Sequence, residues 1–231
     1  MLDPFFSVGD GLDGVRVGIA ALSLSASVAY VGLIQRPRSA VRTLAKTVCF
    51  SFLSFLPLTY LTVFPDQIAG LIALSLALVL SAIGDMFLAL GDERKFFVAG
   101  LSAFLLAHVV YIVGFVPFID IPSLERVMLM VVCAAAALSL VARLWPHLGR
   151  LRLPVLAYFG VIMVMVAGSL SIPMASVWLP LGAVIFALSD SLIAVRKFMA
   201  PFAFVNELVW GTYVVAQFLI TGSMLEILLV A

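Results

Sequence analysis

Two aspartates lie inside long apolar segments of this chain, where a charged side chain is costly. Asp85 is the one charge in "SAIGDMFLAL" (81–90), and Asp190 interrupts "FALSDSLIA" (186–194) in similar surroundings. A carboxylate at the centre of a membrane helix costs roughly 2.5–3.5 kcal/mol, so such residues usually serve a function. Two carboxylates in a dry pocket do not readily both stay ionised. One of them therefore keeps its proton and can donate it, while the other is ionised and can accept one. We therefore predict that Asp85 and Asp190 are a catalytic acid–base pair, suited to hydrolysis through an oxocarbenium-like transition state. The sequence does not assign the two roles.

Further polar residues share helical faces that can reach the same interior. His108 and Tyr111 are three residues apart, and Ser81 lies one turn before Asp85. The segment "NELVWGTYVVAQF" (206–218) repeats polar or aromatic side chains at spacings of four, three and four. Because polar groups in lipid face the protein interior, we expect one polar cavity. Its positioning or substrate-binding residues are Lys46, Ser81, His108, Tyr111, Asn206, Glu207, Tyr213 and Gln217. Purely structural alternatives stay open, namely interhelical hydrogen bonds and, for Lys46, snorkelling to the interface.

The composition indicates the elements that must position these residues. Of the 231 residues, 65% are hydrophobic and only 11% are charged, which excludes an ordinary soluble domain. Apolar runs of about 20 residues mark membrane-spanning helices. We predict an all-α, polytopic membrane protein that forms one transmembrane domain over residues 1–231. Its eight spans are expected at about 14–34, 44–64, 67–90, 97–117, 125–143, 153–171, 176–195 and 205–229.

The basic residues orient these spans. Eleven of the 13 lysines and arginines fall in or beside the odd-numbered loops, which leaves only Arg16 and Arg126 for the other side. The positive-inside rule therefore predicts cytoplasmic odd loops, with both termini outside. Asp85 and Asp190 then lie on the order of 8 Å beneath the cytoplasmic interface, in the inner leaflet. A bacterial inner membrane is expected rather than an organelle membrane. The acidic first 16 residues lack a basic n-region, so we expect the first span to be retained.

Spans 3 and 7 carry similar short segments, "GDMFLA" (84–89) and "SDSLIA" (189–194). They are four spans apart and run in the same direction across the membrane. Two parallel four-helix halves related by a pseudo-two-fold axis would bring the two aspartates together. A gene duplication and a chance match both stay open, and facing carboxylates do not require the duplication.

No pattern in the chain points to a cofactor or a metal. Cys49 and Cys133 are far apart and are expected to be small apolar core residues. No metal ligands, no organic cofactor and no nucleic-acid partner are expected, and the sequence does not give the oligomeric state.

Three segments together resemble the YhhN/TMEM86 family of lysoplasmalogenases. They are "SAIGDMFLALGDERKFFVAGLSAFLLAHVVYIVGF" (81–115), "GAVIFALSDSLIAVRKF" (182–198) and "TYVVAQFLITG" (212–222). One departure is Lys46-Thr47, where the family tends to have Lys-Pro. The resemblance implies hydrolysis of the vinyl ether bond of a lysoplasmalogen, taken from the inner leaflet, to a fatty aldehyde and a glycerophospho-base. It implies that the lipid phosphate lies near Lys46 or the cytoplasmic arginines.

Two other functions use paired intramembrane aspartates. A proton-coupled transporter could use the pair as a relay, but both residues are expected near one face rather than at the midplane. An intramembrane aspartyl protease would need a glycine at Ala82 and a tyrosine in place of Ser189. The hydrolase is therefore the main prediction and the transporter the alternative.

Overall fold

A computed structural model describes residues 8–91, 93–173 and 175–230, and these residues form helices and turns with no strand. Eight helices in this part of the chain, taken with their flanking turns, are long and apolar enough to cross a membrane. The prediction of an all-α, eight-span protein is confirmed, whereas the outward orientation of both termini stays a prediction. The helices are α1 (Asp13–Val31), α2 (Ala40–Leu53, continued by one turn, Phe55–Leu58), α3 (Ile68–Leu90), α4 (Arg94–Phe115), α5 (Leu124–Leu144), α6 (Arg152–Leu170), α7 (Trp178–Phe198) and α8 (Val205–Val230).

The second span differs most from its predicted bounds of 44–64. It begins earlier because Ser39 caps α2, its hydroxyl accepting from the Arg42 N–H. It ends earlier because Pro57 has no N–H and interrupts the helical hydrogen bonds, after which residues 59–64 form successive turns. The Ser54 carbonyl at the break accepts a 2.7 Å hydrogen bond from the Ser75 hydroxyl of α3. This hydrogen bond ties the end of α2 to α3.

The described residues divide into two compact units. The first comprises residues up to 114 together with 224–230, and the second comprises Phe115–Ser223. The first unit thus holds α1–α4 and the last turns of α8, and the second holds α5–α7 and the rest of α8. The first boundary, between Gly114 and Phe115, lies at the last residue of α4. A single transmembrane domain and a parallel arrangement of the halves both stay predictions.

In the first unit, α2 packs between α1 and α3. Close approach at two glycines brings further helices onto α3. A Cβ on Gly70 would lie 2.3 Å from the Leu228 side chain, so the end of α8 packs directly over α3. A Cβ on Gly100 of α4 would lie 2.9 Å from the Leu88 side chain. The absence of side chains at these positions therefore sets the distances between helices, as small residues do in membrane bundles.

The second unit is built around α6, which packs against both α5 and α7. One end of these helices is closed by a cluster of buried apolar side chains: Val141, Leu144, Leu148, Val155, Phe159 and Ala194. A Cβ on Gly182 of α7 would lie 3.0–3.2 Å from Ala216, Leu219 and Ile220, so α7 and α8 are also in close contact.

The two basic residues outside the predicted cytoplasmic loops, Arg16 and Arg126, bind groups at the ends of helices. Arg16 is fully buried and forms ion pairs with Asp10 and Asp13. Its hydrogen bonds with Asp10 lower the pKa of that carboxyl to about 2. Arg16 also donates to the Thr59 carbonyl and lies 4.2 Å from the centre of the Tyr60 ring, and burial raises the pKa of Tyr60 to about 12. Residues 1–7, which begin the acidic N-terminal stretch, lie outside the described residues.

Arg126 has the equivalent role in the second unit. Its guanidinium donates to the Leu170 and Ile172 carbonyls at 3.2 and 2.7 Å, where α6 ends. The last carbonyls of a helix lack partners within it, and a cation there also interacts favourably with the helix dipole.

Candidate functional site

The carboxylate of Asp85 is held by a lysine of the neighbouring helix. Lys46 Nζ on α2 lies 2.9 Å from Asp85 Oδ1 on α3, and the two side chains are only 13% and 2% exposed. The sequence placed Lys46 at the mouth of its span, with snorkelling as an alternative. The structure directs the ammonium group at the buried acid.

A glycine beside Asp85 lets an aromatic ring approach α3. A Cβ on Gly84 would lie 2.7 Å from the Phe104 ring of α4, so only glycine leaves room for that ring. The Phe104 backbone carbonyl lies 2.6 Å from Nδ1 of His108, which is fully buried. A carbonyl only accepts, so Nδ1 carries the hydrogen and, in the neutral ring, Nε2 carries the lone pair. Phe104 thus contacts Gly84 through its ring and His108 through its backbone carbonyl.

The remaining predicted residues of the first unit are buried as expected. Ser81 is fully buried on α3 one turn before Asp85, and Tyr111 is 2% exposed on α4 one turn after His108. The first unit therefore places five predicted polar residues on three helices, four of them buried and Lys46 partly buried. Lys46 and Asp85 form an ion pair.

Asp190 in the second unit has a different type of partner. The Tyr158 hydroxyl of α6 donates a 2.6 Å hydrogen bond to Asp190 Oδ2 of α7, and both residues are buried. This length is typical of an O–H donor on a carboxylate. Sequence reasoning missed Tyr158, although "LAYFG" (156–160) does place a hydroxyl in the middle of an apolar helix. Tyrosines buried in this way usually have a hydrogen-bond partner.

The predicted stripe on α8 packs beside α7. Tyr213 and Gln217 are both buried, and Gln217 Nε2 lies 3.4 Å from the Tyr213 oxygen, a long hydrogen bond. The Phe186 ring of α7 contacts the Tyr213 ring edge-on, with centroids 5.4 Å apart. Ser189, the neighbour of Asp190, donates to the Val209 carbonyl of α8 at 3.0 Å. These contacts fix α8 against the helix that carries Asp190.

The first turn of α8 is more open than the rest of the stripe. Asn206 and Glu207 are only partly buried. Asn206 accepts a 2.5 Å hydrogen bond from Arg196 at the end of α7. A structural role in closing the α7–α8 connection therefore accounts for Asn206, and its part in substrate binding stays a prediction.

The two aspartates thus have distinct electrostatic surroundings. A cation faces Asp85 and a hydroxyl donor faces Asp190. They belong to different units, and their action as one pair stays a prediction. Among residues 8–91, 93–173 and 175–230, no group of three or more His, Cys, Asp or Glu residues could hold a metal ion.

Comparison with known proteins shows the family. The model of the YhhN family matches residues 41–224. A lysoplasmalogenase of Mycobacterium bovis is 38% identical over 151 residues, which make up 64% of this chain and 58% of that relative. Lysoplasmalogenase TMEM86B of Homo sapiens is 36% identical over 153 residues, 65% of this chain and 62% of its own length. Lysoplasmalogenase TMEM86A of Bos taurus is 33% identical over 160 residues, 64% of this chain and 63% of its own.

The matched region is thus shorter than two thirds of each of these relatives. No solved structure matches the chain. Because the family match runs over well more than half of its residues, the chain belongs to the YhhN family.

Proposed function

We propose that this protein is a lysoplasmalogenase, which hydrolyses the vinyl ether bond of a lysoplasmalogen to a fatty aldehyde and a glycerophospho-alcohol. The relatives named above are lysoplasmalogenases, which favours this reaction over the transporter alternative. The observation that carries the proposal is a pair of buried carboxyl groups in different surroundings, Asp85 beside Lys46 and Asp190 beside Tyr158. In this proposal the substrate enters from the inner leaflet of a bacterial inner membrane.

The reaction needs a proton on carbon before water can add. The π electrons of the vinyl ether form a C–H bond at the carbon β to the ether oxygen, and the carbon bonded to that oxygen becomes an oxocarbenium ion. Water adds to this carbon and loses a proton, giving a hemiacetal. The hemiacetal hydroxyl then loses its proton as the aldehyde C=O bond forms, the C–O bond to the glyceryl group breaks, and the glyceryl oxygen takes a proton. One water is consumed, and the protons balance between one acid and one base.

The surroundings of the two carboxyls suggest their roles. The Lys46 ammonium group faces Asp85, so we assign Asp85 the role of stabilising the cation and accepting a proton from water. Asp190, oriented by Tyr158, is then the proton donor. His108 is assigned to water positioning, since a neutral Nε2 accepts a hydrogen bond. The assumption that both aspartates serve one substrate comes from their matching positions in spans 3 and 7.

An apolar cavity in the second unit supports a single-chain lipid substrate. It has a volume of about 290 Å³ and runs between α5, α6 and α7. Phe159, which follows Tyr158, and Ala187 and Ser191, which flank Asp190, are among its lining residues. Its lining is otherwise aliphatic or sulfur-containing, which suits the hydrocarbon chain in this proposal.

Aldehyde release tests the proposal. Wild type, Asp85→Asn and Asp190→Asn are purified in mild detergent and given a lysoplasmalogen, with a saturated-ether lysolipid of equal chain length as the control substrate. We expect aldehyde from wild type with the vinyl ether only, and a loss of at least a hundredfold in each folded variant. In H₂¹⁸O, the released glycerophospho-alcohol should carry no ¹⁸O, because the bond that breaks joins the ether oxygen to the former vinyl carbon and the glyceryl group keeps its own oxygen. Folded wild type that releases no aldehyde would refute the proposal, and proton flux in liposomes would then test the transporter.

A further inference from the structure

A second cavity lies in the first unit, between the beginning of α2 and the end of α3. It has a volume of about 550 Å³. This is the end of the two helices at which the sequence places cytoplasmic basic residues. Its lining residues are Arg38, Ser39, Ala40, Thr43, Leu44, Thr47, Met86, Ala89 and Leu90.

The lining separates polar from apolar side chains. Residues 40, 43, 44 and 47 follow the i, i+3, i+4, i+7 spacing and so form one face of α2. This face and the residues before it supply one guanidinium and three hydroxyls, from Arg38, Ser39, Thr43 and Thr47. The wall from α3 is apolar, with Met86, Ala89 and Leu90 on one of its faces. Its described lining residues include no carboxylate.

This cavity is next to the ion pair of the candidate site. Thr47 follows Lys46 on α2, and Met86 follows Asp85 on α3. Ala89 lies one turn beyond Asp85, a rise of about 6 Å along the helix. A ligand held at Thr43 and Thr47 would therefore place its adjoining atoms within about one helical turn of Asp85.

We propose that this cavity binds the phosphate group of the lysolipid headgroup, with Arg38 as its principal cationic contact. The inference rests on the proposed function and adds the location of the headgroup. The planar guanidinium of arginine matches phosphate oxygens in pairs, and the Ser39 and Thr43 hydroxyls are the further donors, because the Thr47 hydroxyl already donates to the Thr43 carbonyl. Leu44, Met86 and Leu90 then contact the glyceryl group and the first carbons of the chain, directing the vinyl ether toward Asp85.

Equilibrium binding tests this inference without requiring turnover. The probe is a saturated alkyl-ether lysophospholipid, which the proposed reaction does not cleave, and the matched probe is the alkylglycerol that lacks the phosphate. Arg38→Gln should weaken binding of the phosphate-bearing probe about tenfold or more and leave binding of the alkylglycerol unchanged. Thr43→Val should give a smaller loss confined to the same probe. Arg36→Gln is the control, because Arg36 belongs to the same loop but is not a lining residue, and it should bind both probes as wild type does.

Three results would overturn the headgroup assignment. The first is an equal loss for both probes in Arg38→Gln, and the second is an equal loss in Arg38→Gln and Arg36→Gln, which would indicate general surface charge. The third is inorganic phosphate that competes as strongly as the lysolipid, which would indicate a free-phosphate site. Failure of aldehyde release in wild type would refute the proposed function and leave these binding results interpretable. Normal aldehyde release with unchanged binding by Arg38→Gln would refute the inference alone.

Discussion

Replacing Tyr158 with phenylalanine removes one oxygen atom and one hydrogen bond from the surroundings of Asp190. The bond is 2.6 Å long and joins a hydroxyl to a carboxylate oxygen. Leaving a buried acceptor without its hydrogen-bond donor costs about 1–3 kcal/mol. Tyr158 is 5% exposed and Asp190 is 6% exposed, so water does not readily replace the lost donor. If Asp190 is a catalytic residue that Tyr158 positions, kcat/KM for aldehyde release should fall about 5- to 150-fold.

A double-mutant cycle shows whether Tyr158 acts through Asp190. Aldehyde release is measured for wild type, Tyr158→Phe, Asp190→Asn and the double variant, all monodisperse and folded in the same detergent. Because the hydroxyl is expected to act only through the carboxyl group, the double variant should be no slower than Asp190→Asn alone. Tyr30→Phe is the matched control, since Tyr30 is a buried tyrosine of the first unit, and it should retain wild-type activity.

Two results would refute this reasoning. Full activity of Tyr158→Phe would show that the hydrogen bond does not serve the reaction. An equal loss from Tyr158→Phe in the wild-type and Asp190→Asn backgrounds would show that Tyr158 acts on something other than Asp190.

Three further predictions concern the first unit. In denaturant titrations, Lys46→Met should lower the free energy of unfolding by about 3–5 kcal/mol, because it leaves the Asp85 charge buried without its cation. Adding Asp85→Asn should restore most of that stability, and a double variant that stays as unstable as Lys46→Met would argue against the ion pair. Gly84→Ala should lower the free energy of unfolding by about 1–3 kcal/mol, because the added Cβ lies 2.7 Å from an aromatic ring of α4. In the control Gly160→Ala the added Cβ meets nothing within 4 Å, so the midpoint of thermal unfolding should stay unchanged or rise slightly. Equal effects of the two variants would contradict the packing argument. The pKa of Asp10 in the folded protein is about 2, below its ordinary value of 3.8. Its contribution to stability is therefore present above about pH 4 and is lost as the pH falls toward 2. Asp10→Asn should reduce the loss of stability measured by unfolding between those pH values, and an unaltered pH profile would contradict this prediction.

The membrane fold could be predicted because each span is a local property of the chain. A helix in lipid satisfies its own backbone hydrogen bonds, so about 20 apolar residues suffice to specify it. The bounds of α3 and α7 followed from such runs, as did the burial of Asp85 and Asp190 within them. The end of α2 was less predictable. Pro57 is visible in the sequence, but the hydrogen bond that ties the Ser54 carbonyl to the Ser75 hydroxyl of α3 is not.

The sequence by itself determined which residues lie on a helix and on which face. These properties follow from chain position, the 3.6-residue period and the cost of polar groups in lipid. Only the tertiary structure decided which side chains meet. Lys46 reaches Asp85, Tyr158 donates to Asp190, and Gly84 admits the Phe104 ring because of how particular helices pack. That packing depends on side-chain fit between segments far apart in the chain, which no spacing within one helix specifies.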